Sequence, residues 1–328
     1  LGDLYERNRQ WKRAVEALER VVKLDPEQDE MITARMQLGR ILSPQLGDAK
    51  GAIGHIEALL ELAPAHRAGL KRLVSLRMDN GPLPAALQAA ERLREAAEED
   101  RDHAELAWAL LQIGRVEQQQ GDKKAAAKAW HAAVCLVGPG GDAAKEYRAL
   151  LGRDEHPKRY ADALAEHLRR VAAGDLHNED LSTTFLELAR AQYENLSQVE
   201  DALATLRGGL DSYPRHPQLW LALGDGLAKA GRQGEAIEEL RRLVATDPTQ
   251  ADAWRSLARV LQEQARHVEA AIAIAPVLVV GEPTAVERNL EAKHRPRPGW
   301  AQPGSLGPAT LQAISAADAE EETALIAL

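Results

Sequence analysis

Ten histidines and one cysteine are the side chains of this 328-residue chain best suited to metal binding, proton transfer or nucleophilic attack. The histidines are His55, His66, His103, His131, His156, His167, His177, His216, His267 and His294. None belongs to a His-Glu-x-x-His pair, the spacing that puts two zinc ligands on one helix face. In Asp162-Ala163-Leu164-Ala165-Glu166-His167 a carboxylate precedes a histidine, but no second ligand follows at helical spacing. That segment reads as solvated helix surface. Cys135 ends the apolar run Trp130-His131-Ala132-Ala133-Val134-Cys135-Leu136-Val137 and reads as a buried, inert thiol. A single cysteine supports neither an internal disulfide nor a thiolate cluster. The acidic run Glu95, Glu98, Glu99, Asp100 and Asp102 lacks the ligand spacing of a calcium loop and reads as a charged connection. Gly138-Pro139-Gly140-Gly141 has no following Lys-Ser or Lys-Thr, so it is a turn and not a phosphate cradle. No Gly-x-Ser-x-Gly elbow occurs. The expectation is no catalytic residue, no metal and no cofactor.

The elements carrying these residues are helical. Apolar residues make up 45% of the chain, enough for a sizeable core, yet aromatics are only 4%. Ala and Leu must therefore carry the packing, and both are strong helix formers. The composition opposes an all-β fold, which draws on β-branched and aromatic residues. A net charge of -9 disfavours nucleic acid as a partner, since phosphate binding leans on clustered Lys and Arg. The longest apolar stretch, Ala270 to Val280, is broken by Pro276 and falls short of the ~20 residues of a membrane span. No signal peptide is visible, which favours the cytoplasm, though a start at Leu1 looks cut from a longer protein. Arg in excess over Lys, with abundant Ala, points to a GC-rich bacterial genome.

The helices repeat. Trp220 and Trp254 lie 34 residues apart, and Leu223/Leu257, Gly224/Ala258, Leu227/Leu261 and Ala236/Ala270 share that offset. A second spacing, twelve residues from Ala to Pro, links Ala14 to Pro26, Ala52 to Pro64, Ala202 to Pro214 and Ala236 to Pro248. Twelve residues also separate Gly2 from Ala14, Gly114 from Ala126 and Gly224 from Ala236. Trp220, Leu223 and Leu227 fall on one helical face. Gly231 suits a helix end, and Asp247-Pro248 closes one helix and opens the next.

This pattern resembles the tetratricopeptide repeat, a helix-turn-helix unit of about 34 residues. The clearest copy runs from Pro217 to Gln250. The resemblance implies an all-α fold, an α-solenoid of stacked helix-turn-helix units wound as a right-handed superhelix. One partial and about seven further units are expected over residues 1–283, the third (65–101) and fifth (143–176) being degenerate. Residues 284–308, rich in Pro and Gly, are expected to form a linker. Residues 309–328 are expected to form a terminal helix that starts a further element.

In the family this chain resembles, first helices line a groove that holds a partner peptide or helix. Carried over by position, the sixth unit presents Thr184, Glu187, Ala191 and Asn195. The seventh presents Gln218, Leu221, Asp225 and Lys229. The eighth presents Asp252, Arg255, Arg259, Gln262 and Glu263. Arg255 and Arg259 stand one turn apart and suit a partner carboxylate. Leu221 and Asp225 stand where some relatives carry a carboxylate-gripping Lys and Asn, which argues against that ligand class. The implied function is a protein–protein scaffold or adaptor without catalysis, binding a protein or peptide, with no nucleic acid as partner and no membrane insertion. The alternative is a regulatory or targeting arm of a larger enzyme or signalling protein.

Overall fold

The computed structural model describes residues 2–177, 180–195 and 197–295, which divide into two compact units at residue 178. In the first unit the helices are α1 (Gly2–Arg7), α2 (Trp11–Lys23), α3 (Gln28–Leu46), α4 (Ala49–Leu62), α5 (Arg67–Asn80), α6 (Leu83–Glu99), α7 (His103–Gln120), α8 (Lys123–Val137) and α9 (Asp142–Ala172). The second contains α10 (Ser182–Arg190), α11 (Val199–Ser212), α12 (Pro217–Lys229), α13 (Gln233–Thr246), α14 (Ala251–Glu263), α15 (His267–Ile274), α16 (Val277–Val280) and α17 (Ala285–His294). Among the described residues the regular structure is helical throughout.

Odd- and even-numbered helices pair as α1/α2, α3/α4, α5/α6 and α7/α8, and then as α10/α11, α12/α13 and α14/α15 with the order reversed. Short turns join the partners, so each pair is antiparallel. The starts are fixed by local chemistry. Asp48, Asp102 and Asp122 cap α4, α7 and α8 by accepting from the amides of Gly51, Glu105 and Ala125. His66 and His216 do the same for α5 and α12 through Nδ1, at 3.0 and 3.4 Å. Two of the ten histidines are thus helix caps.

Within a pair the helices cross closely. A Cβ at Gly224 would lie 2.6 Å from Leu240 Cγ, so α12 meets α13 only because residue 224 has no side chain. Leu219, Leu223 and Leu227 bury one face of α12 against Ala236, Ile237 and Leu240 of α13. Between pairs a second device recurs. The Trp220 indole donates to the Pro214 carbonyl, and the Trp254 indole to that of Pro248, each at 2.8 Å. The 34-residue offset of these tryptophans is therefore one tie made twice.

The third unit, expected to be degenerate, folds as the regular pair α5/α6. In the fifth, the two helical segments of α9 meet at Gly152, whose φ of 67° breaks the helix. In the sixth, α10 runs on into a π-helical turn, Ala191–Asn195. The second helix of the eighth stops at Ile274, because Pro276 cannot continue it, and resumes as α16.

The fold itself corrects two expectations. The segment placed at the start of a linker is α17, capped by Thr284, whose hydroxyl accepts from the Glu287 amide while the Glu287 carboxylate accepts from the Thr284 amide. His167, expected on solvated surface, is 1% exposed, and its Nδ1 lies 3.2 Å from the Cys135 carbonyl. The helix expected over residues 309–328 and the rest of the linker lie outside the described residues.

Candidate functional site

Which side of each unit could hold a partner follows from how the pairs stack. Successive first helices approach one another: α3 and α5, α7 and α9, α10 and α12, α12 and α14. Among the described residues no two successive second helices come as close. The first-helix side of each unit is therefore its tighter, inner side, and the second-helix side is splayed.

The inner side is laced by ion pairs that step from one first helix to the next. Glu6 meets Arg40 at 2.6 Å, Lys71 meets Glu105 at 2.5 Å, and Arg115 meets Glu146 at 3.2 Å. In the second unit Asp225 meets Arg259 at 2.7 Å, and Arg255 meets Glu287 at 2.9 Å. Arg67 gathers Asp100, Asp102 and Glu105, which absorbs part of the acidic run noted in the sequence. Each exposed pair is worth about 0–1 kcal/mol, so the set fixes which side chains face which more than it stabilises the stack.

The residues carried over to the groove divide accordingly. Thr184 is 1% exposed and is core, not surface, so that expectation is corrected. Glu187 is half-buried in α10. Ala191 and Asn195 fall in the π-helical turn, with Ala191 buried. Gln218 and Gln262 are exposed, and Leu221 is half-buried against the second unit's core. Lys229 sits 5.3 Å over the Tyr193 ring. Arg255 and Arg259, expected to await a partner's carboxylate, are held within the chain. Arg255 donates to Asp252, Glu287 and the Glu282 carbonyl, and Arg259 to Glu263 and Asp225. The hydrogen bond that Arg255 donates to Glu287 raises the Arg255 pKa. Burial pushes Glu287 up, but the Thr284 amide, Arg255 and the Thr284 hydroxyl outweigh it and hold its carboxyl below the usual range. The structure thus brings Gln218, Leu221, Asp225, Lys229, Asp252, Arg259, Gln262 and Glu263 onto two first helices tied by one ion pair. Sequence reasoning missed the ties themselves, although Glu6/Arg40, Lys71/Glu105 and Asp225/Arg259 are each opposite charges 34 residues apart.

Cys135 is buried, and burial pushes its thiol up to about 11, leaving almost no thiolate near neutral pH. Among the described residues no group of three His, Cys, Asp or Glu side chains is placed to hold a metal, and no helix is long and apolar enough to cross a membrane.

Fold and surface define a helical-hairpin repeat protein. Tetratricopeptide-repeat family models match residues 1–67 and 217–260, so these segments carry that repeat. No curated protein matches the chain. Among solved structures it is similar to YrrB, described as a TPR protein with an unusual peptide-binding site, at 19% identity over 62% of this chain and 97% of that one, TM-score 0.39. It is also similar to the TPR2AB domain of yeast Sti1 in a pHSP90 complex, at 15% identity over 81% and 99%, TM-score 0.33. A third is the C-terminal part of a TPR protein from Cytophaga hutchinsonii, at 14% identity over 78% and 98%, TM-score 0.46.

Proposed function

We propose that this chain is a protein-interaction scaffold that holds a partner peptide or helix along the first helices of its second unit, without catalysing a reaction on it. One observation carries this reading. The first helices α12 and α14 lie side by side, pinned by the Asp225–Arg259 pair at 2.7 Å, so their outward residues form one strip and not separate patches. A strip of that kind suits an extended or helical segment better than a small molecule.

The pairing narrows which residues do the gripping. Among the described residues Gln218, Leu221, Lys229 and Gln262 carry no ion pair, and Asp225, Asp252, Arg259 and Glu263 act as a charged frame. Amide donors and acceptors beside a half-buried leucine favour a partner read through its backbone and a small apolar side chain.

The test is site-specific photo-crosslinking in the native cell. A benzoylphenylalanine at Gln218 or Gln262 should give a discrete protein adduct, and one at exposed Glu238 on α13 should not. Adducts absent from both first-helix positions, or equally strong at Glu238, would refute the reading.

A further inference from the structure

The first unit holds a groove of about 930 Å³ that the scaffold reading above leaves unassigned. Its floor is α7. Leu106, Leu110, Ile113 and Glu117 line it at spacings of four, three and four, which is one helical face. Its walls are α6 on one side and α8, with Glu166 and Arg170 of α9, on the other, and α6 and α8 run parallel because each is antiparallel to α7. Both are second helices, so the groove opens on the splayed side of the unit. The α8 wall is shallow because Ala125, Ala129 and Ala132 have no side chain long enough to fill it. Leu106 to Glu117 spans roughly 16 Å at ~1.5 Å per residue, about three helical turns.

Ion pairing at the rim is uneven. Arg94 holds Glu91 at 2.6 Å and Glu98 at 2.8 Å, and Arg169 holds Glu166 at 2.6 Å. Three further cations line the groove, Arg101, Lys128 and Arg170, and none makes an ion pair among the described residues. Only one lining carboxylate, Glu117, is likewise unpaired. The lining balances four cations against four carboxylates, but Arg94 serves two of those carboxylates, so the cations left without a partner outnumber such carboxylates three to one around an apolar floor.

We propose that this outer groove docks a partner helix with an apolar stripe flanked by carboxylates. The apolar floor accepts the stripe, and Arg101, Lys128 and Arg170 accept the carboxylates. The ends of the groove also set direction. Arg101 and Arg170 stand at the Leu106 end, and Glu117 at the other. The partner's amino-terminal turn, with its free amides, belongs beside Glu117, and its carboxyl-terminal turn beside the two arginines. Burial, with Asp122 and Glu91 nearby, raises the Glu117 pKa, as expected of a carboxylate lacking its donor.

The test uses the full chain and two synthetic fluorescent peptides of about 18 residues, long enough to cover the groove. Both carry leucines at alternating three- and four-residue spacing. One is flanked by glutamates, the other by lysines. Fluorescence anisotropy should show the glutamate peptide binding at least about tenfold tighter. Lys128→Glu with Arg170→Glu should abolish that preference, and Ala132→Trp should block both peptides. Far-UV circular dichroism confirms that each variant stays helical. Equal affinity for the two peptides, or a preference unmoved by the charge reversals, overturns the proposal. So does a carbodiimide cross-link, formed without peptide, between Lys128 and Asp318 or Glu320–Glu322, because the occupant would then be this chain's own segment or a second copy. None of these changes touches Gln218 or Gln262, so failure here and failure of the scaffold reading are separable.

Discussion

The histidines illustrate how little a residue type reveals without its surroundings. His66 and His216 cap helices through Nδ1, His131 lies 3.2 Å from the Tyr147 hydroxyl, and His267 stacks on His294 with centroids 5.1 Å apart. His167 has a thermodynamic consequence. Burial lowers its pKa, Arg170 lowers it further, and the bond to the Cys135 carbonyl only partly compensates. The folded state therefore binds this proton less readily than the unfolded chain. Its contribution to stability is intact above the unfolded value of about 6.5 and is lost as pH falls through the folded value. His55, also lowered by burial, acts in the same direction. His167→Asn retains a donor for the carbonyl but cannot titrate. Its urea midpoint should fall less between pH 8 and pH 5 than that of the parent protein. An unchanged pH dependence would mean His167 is not a source of the acid sensitivity. Sequence alone gave no warning of this burial, because Glu166-His167 looks the same on a wet face as on a dry one.

At the scale of the elements, pairing was legible because its signals are local. Gly231, with a φ of 77°, ends α12 as its position after the apolar face implied, and Pro248 separates α13 from α14. The two degenerate units show where such signals fail. Nothing in Asn80-Gly81-Pro82-Leu83-Pro84 matches the repeat closely, yet Ala86, Ala89, Ala90 and Leu93 bury a normal second helix. The helix α17 had a readable start, Thr284-x-x-Glu287, but the prolines and glycines that follow outweighed it. Its docking joins two effects in one side chain, since Glu287 completes the capping box and receives Arg255. Removing that charge with Glu287→Gln should loosen α17 alone. A partly exposed ion pair amounts to about 1 kcal/mol, and glutamine still serves the capping box, so amides of residues 285–294 should exchange roughly fivefold faster. Exchange in α12 and α13 should not change. No acceleration in α17 would show that Leu290 and the apolar contacts with α15 hold it without the ion pair.

At the largest scale, the inner ion pairs and the cores within each unit make one point about cooperativity. Core residues from Ala14 to Ala129 cluster in the first unit, and those from Ala189 to Val277 in the second. A stack of this kind is stabilised by neighbour-to-neighbour contacts, so damage should spread along the adjoining pairs and weaken with distance. Leu240 is the place to test it. It is fully buried, and it fills the space that Gly224 leaves open. Leu240→Ala removes that filling and costs about 2–5 kcal/mol where it sits. Hydrogen exchange should then lose protection across α12 to α15 and keep it in α3 to α8. Under increasing urea the variant should unfold in two steps, with the second unit first. A single transition displaced as a whole, with protection lost evenly from α3 to α15, would mean that the chain folds as one cooperative body. The repeat would then set its architecture without setting its energetics.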